Sequence, residues 1–318
     1  MKHLLHGREL ALTLAILAVV ITMALGAPGF FAISNQRDLL MANLPVATVA
    51  LGMTLIILTG QIDISVGSQF AILSVASGLF AKAGLPMPAV IVVTCLAGAL
   101  LGALNGVLVA YVRIPSIVVT LATMVALRDA LRWATQGAWV QDLPPGFQWF
   151  GRSQIGSEAI TVGAVVALVA GFGWGLHHVA AGRAFYAAGS NPEAARLAGI
   201  DPSRVVFAAF TITGALAGLA AFSNAVRFNQ IPSNAGLGLE LQVIAAVIVG
   251  GVAVTGGQGR LAGVLLGVIL LGTIGPALTF LSISAYWERA LQGAIILVAV
   301  ALDRVKAPAP ELVSEPPS

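Results

Sequence analysis

Charged side chains are scarce in this chain. Lys, Arg, Asp and Glu make up 9% of its 318 residues, against about 25% in soluble domains. That scarcity excludes an ordinary soluble domain, and a net charge of +3 leaves too little basic surface to hold nucleic acid. Cysteine occurs once, as Cys95 inside an apolar run, so no intrachain disulfide can form and a metal cluster is disfavoured. The thiol reads as lipid-embedded or core. Sequence patterns for chemistry are missing too. There is no G-x-x-x-x-G-K-[ST], no H-E-x-x-H, no G-x-S-x-G, and no grouping of His, Cys and carboxylates. The chain therefore has no P-loop with which to hydrolyse ATP, and no catalytic or metal residues are assigned.

What the chain does have is apolar length: 58% of it is hydrophobic. Only helices or closed barrels satisfy the backbone in lipid, and long runs without period-2 alternation select helices. Ten candidate spans follow, at 10–27, 38–59, 64–82, 87–111, 115–135, 158–180, 204–224, 239–254, 260–281 and 285–303. The expected fold is an all-α polytopic membrane bundle, with residues 1–305 as one transmembrane domain. The third and eighth spans adjoin glycine-rich turns and are candidates for re-entrant segments. Lys2 and Arg8 before the run Leu10–Leu25 resemble a signal peptide, but a chain that continues in the membrane favours a retained first span.

An even number of spans puts both termini on one side. With the N-terminus cytoplasmic, Lys and Arg divide nine inside to seven outside, a slight positive-inside excess. The connection 136–157 then lies outside. Its Trp139, Phe147, Trp149 and Phe150 read as interfacial anchors or as a docking surface for an external protein. Residues 306–318 form a proline-rich, polar tail expected to be disordered.

The polar interruption Gly182–Arg204 lies on the cytoplasmic side in this topology and holds a complete short helix. Ser190 or Asn191 can cap it, Pro192 suits the first helical position, Glu193 suits the positive end, and Gly199 stops it. Two turns are marginal in isolation, so the helix is expected to rest on something and to be offered to a soluble partner.

Several residues inside the apolar spans carry polar chemistry. Asp63, in Gln61-Ile62-Asp63-Ile64-Ser65, is the most expensive, since a carboxylate near the bilayer centre costs at least about 2.5–3.5 kcal/mol. It can cap the helix that begins near Ser65, or it can bind a proton, an ion or a solute hydroxyl. The turn marked by Gly60 and Gly67 favours the cap. Asn43, Asn105, Thr120, Thr123, Asn224 and Gln242 can line a path for a neutral, hydroxyl-rich solute or simply bond between helices. His177 and His178 read as an interfacial pair. Gly98, Gly102 and Gly106 fall four apart, as do Gly259, Gly263 and Gly267, with Gly214 and Gly218 as a further pair; such spacing lets helix backbones approach closely. Leu58–Gly67 (LTGQIDISVG) and Val254–Gly263 (VTGGQGRLAG) look alike, either through internal duplication or by chance.

Three ordered passages carry a family resemblance: ALGMTLIILTGQIDISVGS (Ala50–Ser68), GRAFYAAGSNPEAARLAGI (Gly182–Ile200) and VIVGGVAVTGGQGRLAGVLLG (Val247–Gly267). Together with Asn105-Gly106, they make residues 35–303 resemble the permease subunits of bacterial ABC importers for ribose, xylose and rhamnose. Permeases for autoinducer-2 are near relatives. The resemblance implies an inner-membrane pore subunit paired with a second permease copy, the same or different. A periplasmic sugar-binding protein would supply solute, and a cytoplasmic ATPase would bind the ATP, so this chain carries no cofactor. Asn191, Glu193, Ala194, Ala195, Arg196 and Gly199 match the segment that docks into the ATPase. Asp63, Ser65, Asn105 and Asn224 are the candidates for solute path or helix cap. An ion-coupled secondary transporter is the competing class, with Asp63 as its ion site; a membrane enzyme lacks a catalytic constellation.

Overall fold

The computed structural model describes residues 2–284, 286–288, 290–295 and 297. Among the described residues eleven α-helices with defined bounds follow one another: α1 (Lys2–Gly26), α2 (Ile33–Leu58), α3 (Val66–Lys82), α4 (Met87–Ala110), α5 (Ser116–Thr135), α6 (Gln154–His178), α7 (Ala180–Ser190), α8 (Pro192–Leu197), α9 (Pro202–Ala225), α10 (Leu239–Val249) and α11 (Leu261–Phe280). No strand is formed among the described residues; one isolated bridge joins Val140 to Ile231. Residues 290–295 are also helical. The rest of the expected span 285–303 lies largely outside the described residues, and the tail 306–318 lies wholly outside them.

Proline and glycine punctuate the helices where the backbone requires it. Pro192 and Pro202 open α8 and α9, where a missing N–H costs nothing. Pro45 and Pro276 sit inside α2 and α11, and each leaves one helical carbonyl without its usual donor. Among the described residues six helices are long and apolar enough to cross a membrane: α2, α4, α6, α9, α11 and the Glu9–Gly26 part of α1. The chain is a multi-pass helical bundle.

Burial separates centre from rim. Within the apolar window, 83% of α2 and 61% of α9 is buried, against 11% in α1 and 17% in α6. α2 and α9 are therefore the central pair. α4 and α3 pack on α9, α10 and α11 pack on α2, and α1 lies outside α11. An ion pair ties each end. Arg260 meets Glu9 at 3.0 Å at the end that carries α8, and Arg37 meets Glu158 at the opposite end.

α3 has 17 residues and α10 has 11. At 1.5 Å per residue they reach about 25 Å and about 17 Å, short of the roughly 30 Å hydrocarbon core. Their N-terminal turns meet inside the bundle, where Gly67 packs against the Gly236 carbonyl and the Glu240 carboxylate. Each helix therefore begins at an interior elbow rather than at a membrane surface.

Some sequence expectations need correction. The stretch 182–190, read as a polar interruption, is helical: Gly182, Phe185 and Ala188 recur three apart and form its buried stripe. The eighth span stops at Val249 rather than residue 254, because Gly250 and the positive-φ Gly251 turn the chain. Gly259 precedes α11, so it shares no helix face with Gly263 and Gly267. In the 136–157 connection Phe147 is fully buried, in edge contact with Phe222. It is a core residue rather than an interfacial anchor.

Candidate functional site

At one end of the bundle α8 is held by caps at both ends. The Asn191 side chain accepts from the Ala194 N–H at 3.0 Å. At the other terminus Gly199 N–H donates to the Arg196 carbonyl at 2.9 Å and Ile200 N–H to that of Ala195 at 2.9 Å. This paired closure requires a left-handed residue, and Gly199 supplies it with φ +80°. Ala195 faces inward; Glu193, Ala194 and Arg196 are exposed. Leu197 was not singled out from the sequence, yet it is 92% exposed. A large apolar side chain in a six-residue polar helix was the signal that could have found it. Beside α8 a groove of about 340 Å³ is lined by Gln61, Arg113, Pro192 and Arg196, among others.

α8 continues from α7, and α7 rests on a junction made almost wholly of backbone. The Gly257 N–H donates to the Leu58 carbonyl at 2.8 Å. A Cβ on Gly189 would strike that same carbonyl and approach the Gly257 nitrogen to 2.7 Å. One on Gly256 would stand 2.8 Å from the Gly60 nitrogen, and one on Gly257 would stand 2.5 Å from the Cα of Ser190. Thus the C-terminal end of α7 and the two glycine turns, Leu58–Gly60 and Gly256–Gly257, meet chiefly through backbone, with Ser190 Cβ the side-chain atom against Gly257. Tyr186 adds a hydrogen bond to the Gly259 carbonyl at 3.3 Å; burial raises its hydroxyl pKa, against the nearby Arg260 charge.

Asp63 lies two residues before Ser65, the residue preceding the first turn of α3, and is fully buried. One carboxylate oxygen accepts from the Ser65 N–H at 2.8 Å and from the Ser65 hydroxyl at 2.5 Å. The other accepts from the Gln69 amide at 3.3 Å. Asn105 of α4 donates to Ser65 Oγ at 2.9 Å and accepts from Thr123 of α5 at 2.7 Å. Thr120 bonds within α5 to Ser116 at 2.8 Å. Asp63, Ser65, Asn105 and Thr123 therefore belong to one buried network that joins α3, α4 and α5.

The small-residue faces pack helix on helix. A Cβ on Gly98 would strike the Gly214 carbonyl, one on Gly102 the Phe210 carbonyl, and one on Gly106 would lie 3.2 Å from Phe207. On the other side of the bundle, Gly263 and Gly267 press against the Gly250 and Ala246 carbonyls.

Asn224 and Gln242 lie apart from this network. They line a cavity of about 590 Å³ that opens toward the end opposite α8. Glu288 and Gln292 complete its polar wall, joined by a hydrogen bond of 3.2 Å. Gly236–Leu239 and Phe70 also line it, so the elbow where α3 and α10 begin lies along its wall. Asn43 is held elsewhere, donating to the Leu39 carbonyl at 2.8 Å and packed against Gly272.

Comparison with known proteins finds relatives that cover nearly the whole chain. The chain is 35% identical over 309 residues to the autoinducer 2 import system permease protein LsrC of Enterobacter sp. (strain 638), covering 95% of this chain and 88% of that one. It is 34% identical over 314 residues to the ribose import permease protein RbsC of Escherichia coli (strain K12), covering 95% of each. No solved structure matches. Residues 36–300 match the model of the family described as branched-chain amino acid transport system / permease component. The chain belongs to that family: it is a multi-pass inner-membrane permease subunit of the ABC-importer type.

Proposed function

We propose that this permease imports a small neutral sugar, a pentose or a deoxyhexose such as rhamnose, and that a separate ATPase drives it through α8. The observation that carries the reading is α8 itself, a helix fixed at both ends and seated through α7 on the junction of the two glycine turns. It presents Glu193, Arg196 and the exposed Leu197 outward. The relatives' names, import permeases for ribose and for autoinducer 2, point the solute toward sugars and sugar-like signals. In this reading the α8 end is cytoplasmic, both termini lie on that side, and the cavity faces a periplasmic binding protein. A second permease subunit completes the path.

The contacts support a mechanism for this reading. Closure of the ATPase pair on ATP moves α8, and α7 moves with it. Because Gly189, Leu58 and Gly257 touch through backbone, that displacement passes to both turns with little side-chain slack to absorb it. α2 and α3 flank one turn, and α10 and α11 flank the other. The shift repositions the elbow along the cavity wall and exchanges access from one end to the other. ATP biases the exchange only as far as it binds one state better.

Reconstitution in proteoliposomes with the ATPase and binding subunits tests this. ATP-dependent uptake of labelled D-ribose or L-rhamnose is expected, insensitive to a protonophore. The double variant Glu193→Lys/Leu197→Asp should stop the ATPase from co-purifying and lower uptake at least tenfold, with the permease's melting temperature unchanged. Uptake that survives without ATPase and collapses with the proton gradient would sink the proposal, and so would uptake of leucine in place of either sugar.

A further inference from the structure

Apart from Asn43, which is held against Leu39 and Gly272, the polar residues read from the sequence as a solute path divide into two groups in the structure. Asn105, Thr120 and Thr123 spend hydrogen bonds on one another and on backbone inside the α3–α5 assembly. Asn224 and Gln242 do not take part in that network, and they face the cavity together with Ser284, Glu288 and Gln292. We propose that this wall is a selectivity site of the permease's own, one that binds a neutral polyhydroxylated solute after a binding protein has released it. The proposal rests on the import reading above and adds that the membrane subunit discriminates among solutes rather than serving as an unselective opening.

The chemistry suits that class. Carboxamides both donate and accept, which matches vicinal hydroxyls that do the same. Glu288 is positioned by Gln292, whose own side chain is 5% exposed, so an acceptor is fixed in place before solute arrives. Glu288 is backed by Gly275, where any Cβ would collide with the carboxylate. Phe70 and Leu239 supply apolar surface for the C–H face of a sugar ring. The volume, about 590 Å³, falls within the usual range for small-molecule sites, about 300–1,000 Å³.

The test uses the assembled importer in proteoliposomes with labelled D-ribose and L-rhamnose. Gln242→Leu and Gln292→Leu replace amides with apolar groups of similar size. Asn224→Ala, at the partly exposed end of α9, is a milder change. Each is expected to lower uptake at least fivefold, chiefly through a higher KM, and to alter the ribose-to-rhamnose ratio. ATP hydrolysis stimulated by the loaded binding protein should stay within twofold of wild type. Wild-type uptake and an unaltered sugar ratio in all three variants would overturn the selectivity site while leaving the import reading standing. A joint fall of uptake and stimulated hydrolysis in Asn224→Ala, in protein with unchanged melting, would also overturn it. Failure of the wild-type complex to import either sugar defeats the import reading itself.

Discussion

Asp63 illustrates how a buried carboxylate is kept in an apolar bundle. Its oxygens take three donors, two from Ser65 and one from Gln69, which stands in for the water it has lost. Gln69 Oε1, by contrast, has no partner. That orphan makes a specific substitution tolerable. Asp63→Asn keeps one carbonyl for Ser65, and rotation of the Gln69 amide would turn the orphan oxygen toward the new NH₂ group at the loss of the 2.8 Å bond that Gln69 donates to Ser65 Oγ. The expected cost is about 1 kcal/mol, one ordinary hydrogen bond, with sugar uptake retained. Asp63→Leu removes every acceptor at once and strands buried donors on Ser65 and Gln69, for an expected loss of about 3 kcal/mol or more. Melting temperature and yield of the purified permease check both. An ion-coupled role for Asp63 would instead abolish uptake in a well-folded Asp63→Asn protein.

At the scale of elements, the glycine faces set how closely helices stand. Gly102 of α4 faces the Phe210 carbonyl of α9, whereas Gly171 of α6 has nothing within 4 Å of a built Cβ. Gly102→Ala should therefore lower stability by about 1–3 kcal/mol through overpacking. Gly171→Ala should be neutral or stabilising by up to about 1 kcal/mol, since alanine is the better helix former. Thermal melts of the two variants, side by side, read the difference. Equal melts would show that the α4–α9 contact is loose. The same contrast explains what was legible beforehand. Four-residue spacing placed Gly98, Gly102 and Gly106 on one face because a helix turns in about 3.6 residues. It misplaced Gly259, because spacing carries no information about where a helix begins, and the turn at Gly256–Gly257 delays α11 to Leu261. α7 escaped notice because its stripe is built from Gly182, Phe185 and Ala188, two of them too small to register as hydrophobic periodicity. α8 was readable down to its cap, since Asn191, Pro192 and Gly199 act on the backbone beside them. Of the cavity, only Asn224 and Gln242 were readable. Its wall comes from α2, α3, α9, α10 and Ser284, Tyr286, Glu288 and Gln292, and nothing local in any of these announces the others.

For the molecule as a whole, the question is how motion at one end reaches a cavity at the other. Packed side chains give under load by changing rotamer, whereas backbone against backbone does not. The junction of Gly189, Leu58 and Gly257 is of the second kind, and it stands where α7 meets both glycine turns. Gly257 adopts φ +72° and has Ser190 Cα 2.5 Å from its would-be Cβ, so Gly257→Ala both strains the turn and pushes α7 away from it. α8 itself, with its exposed Glu193, Arg196 and Leu197, is untouched by that change. The ATPase should therefore still co-purify and still hydrolyse ATP, while sugar uptake falls at least tenfold. Gly199→Ala is the complementary case: its Cβ meets nothing within 4 Å, but φ +80° makes it loosen the cap of α8, so ATPase binding should weaken first and uptake should fall with it. Co-purification, hydrolysis and uptake measured on both variants separate the two sites. If Gly257→Ala loses ATPase binding as readily as Gly199→Ala, the junction is a support for α8 and not the route by which its motion reaches the bundle.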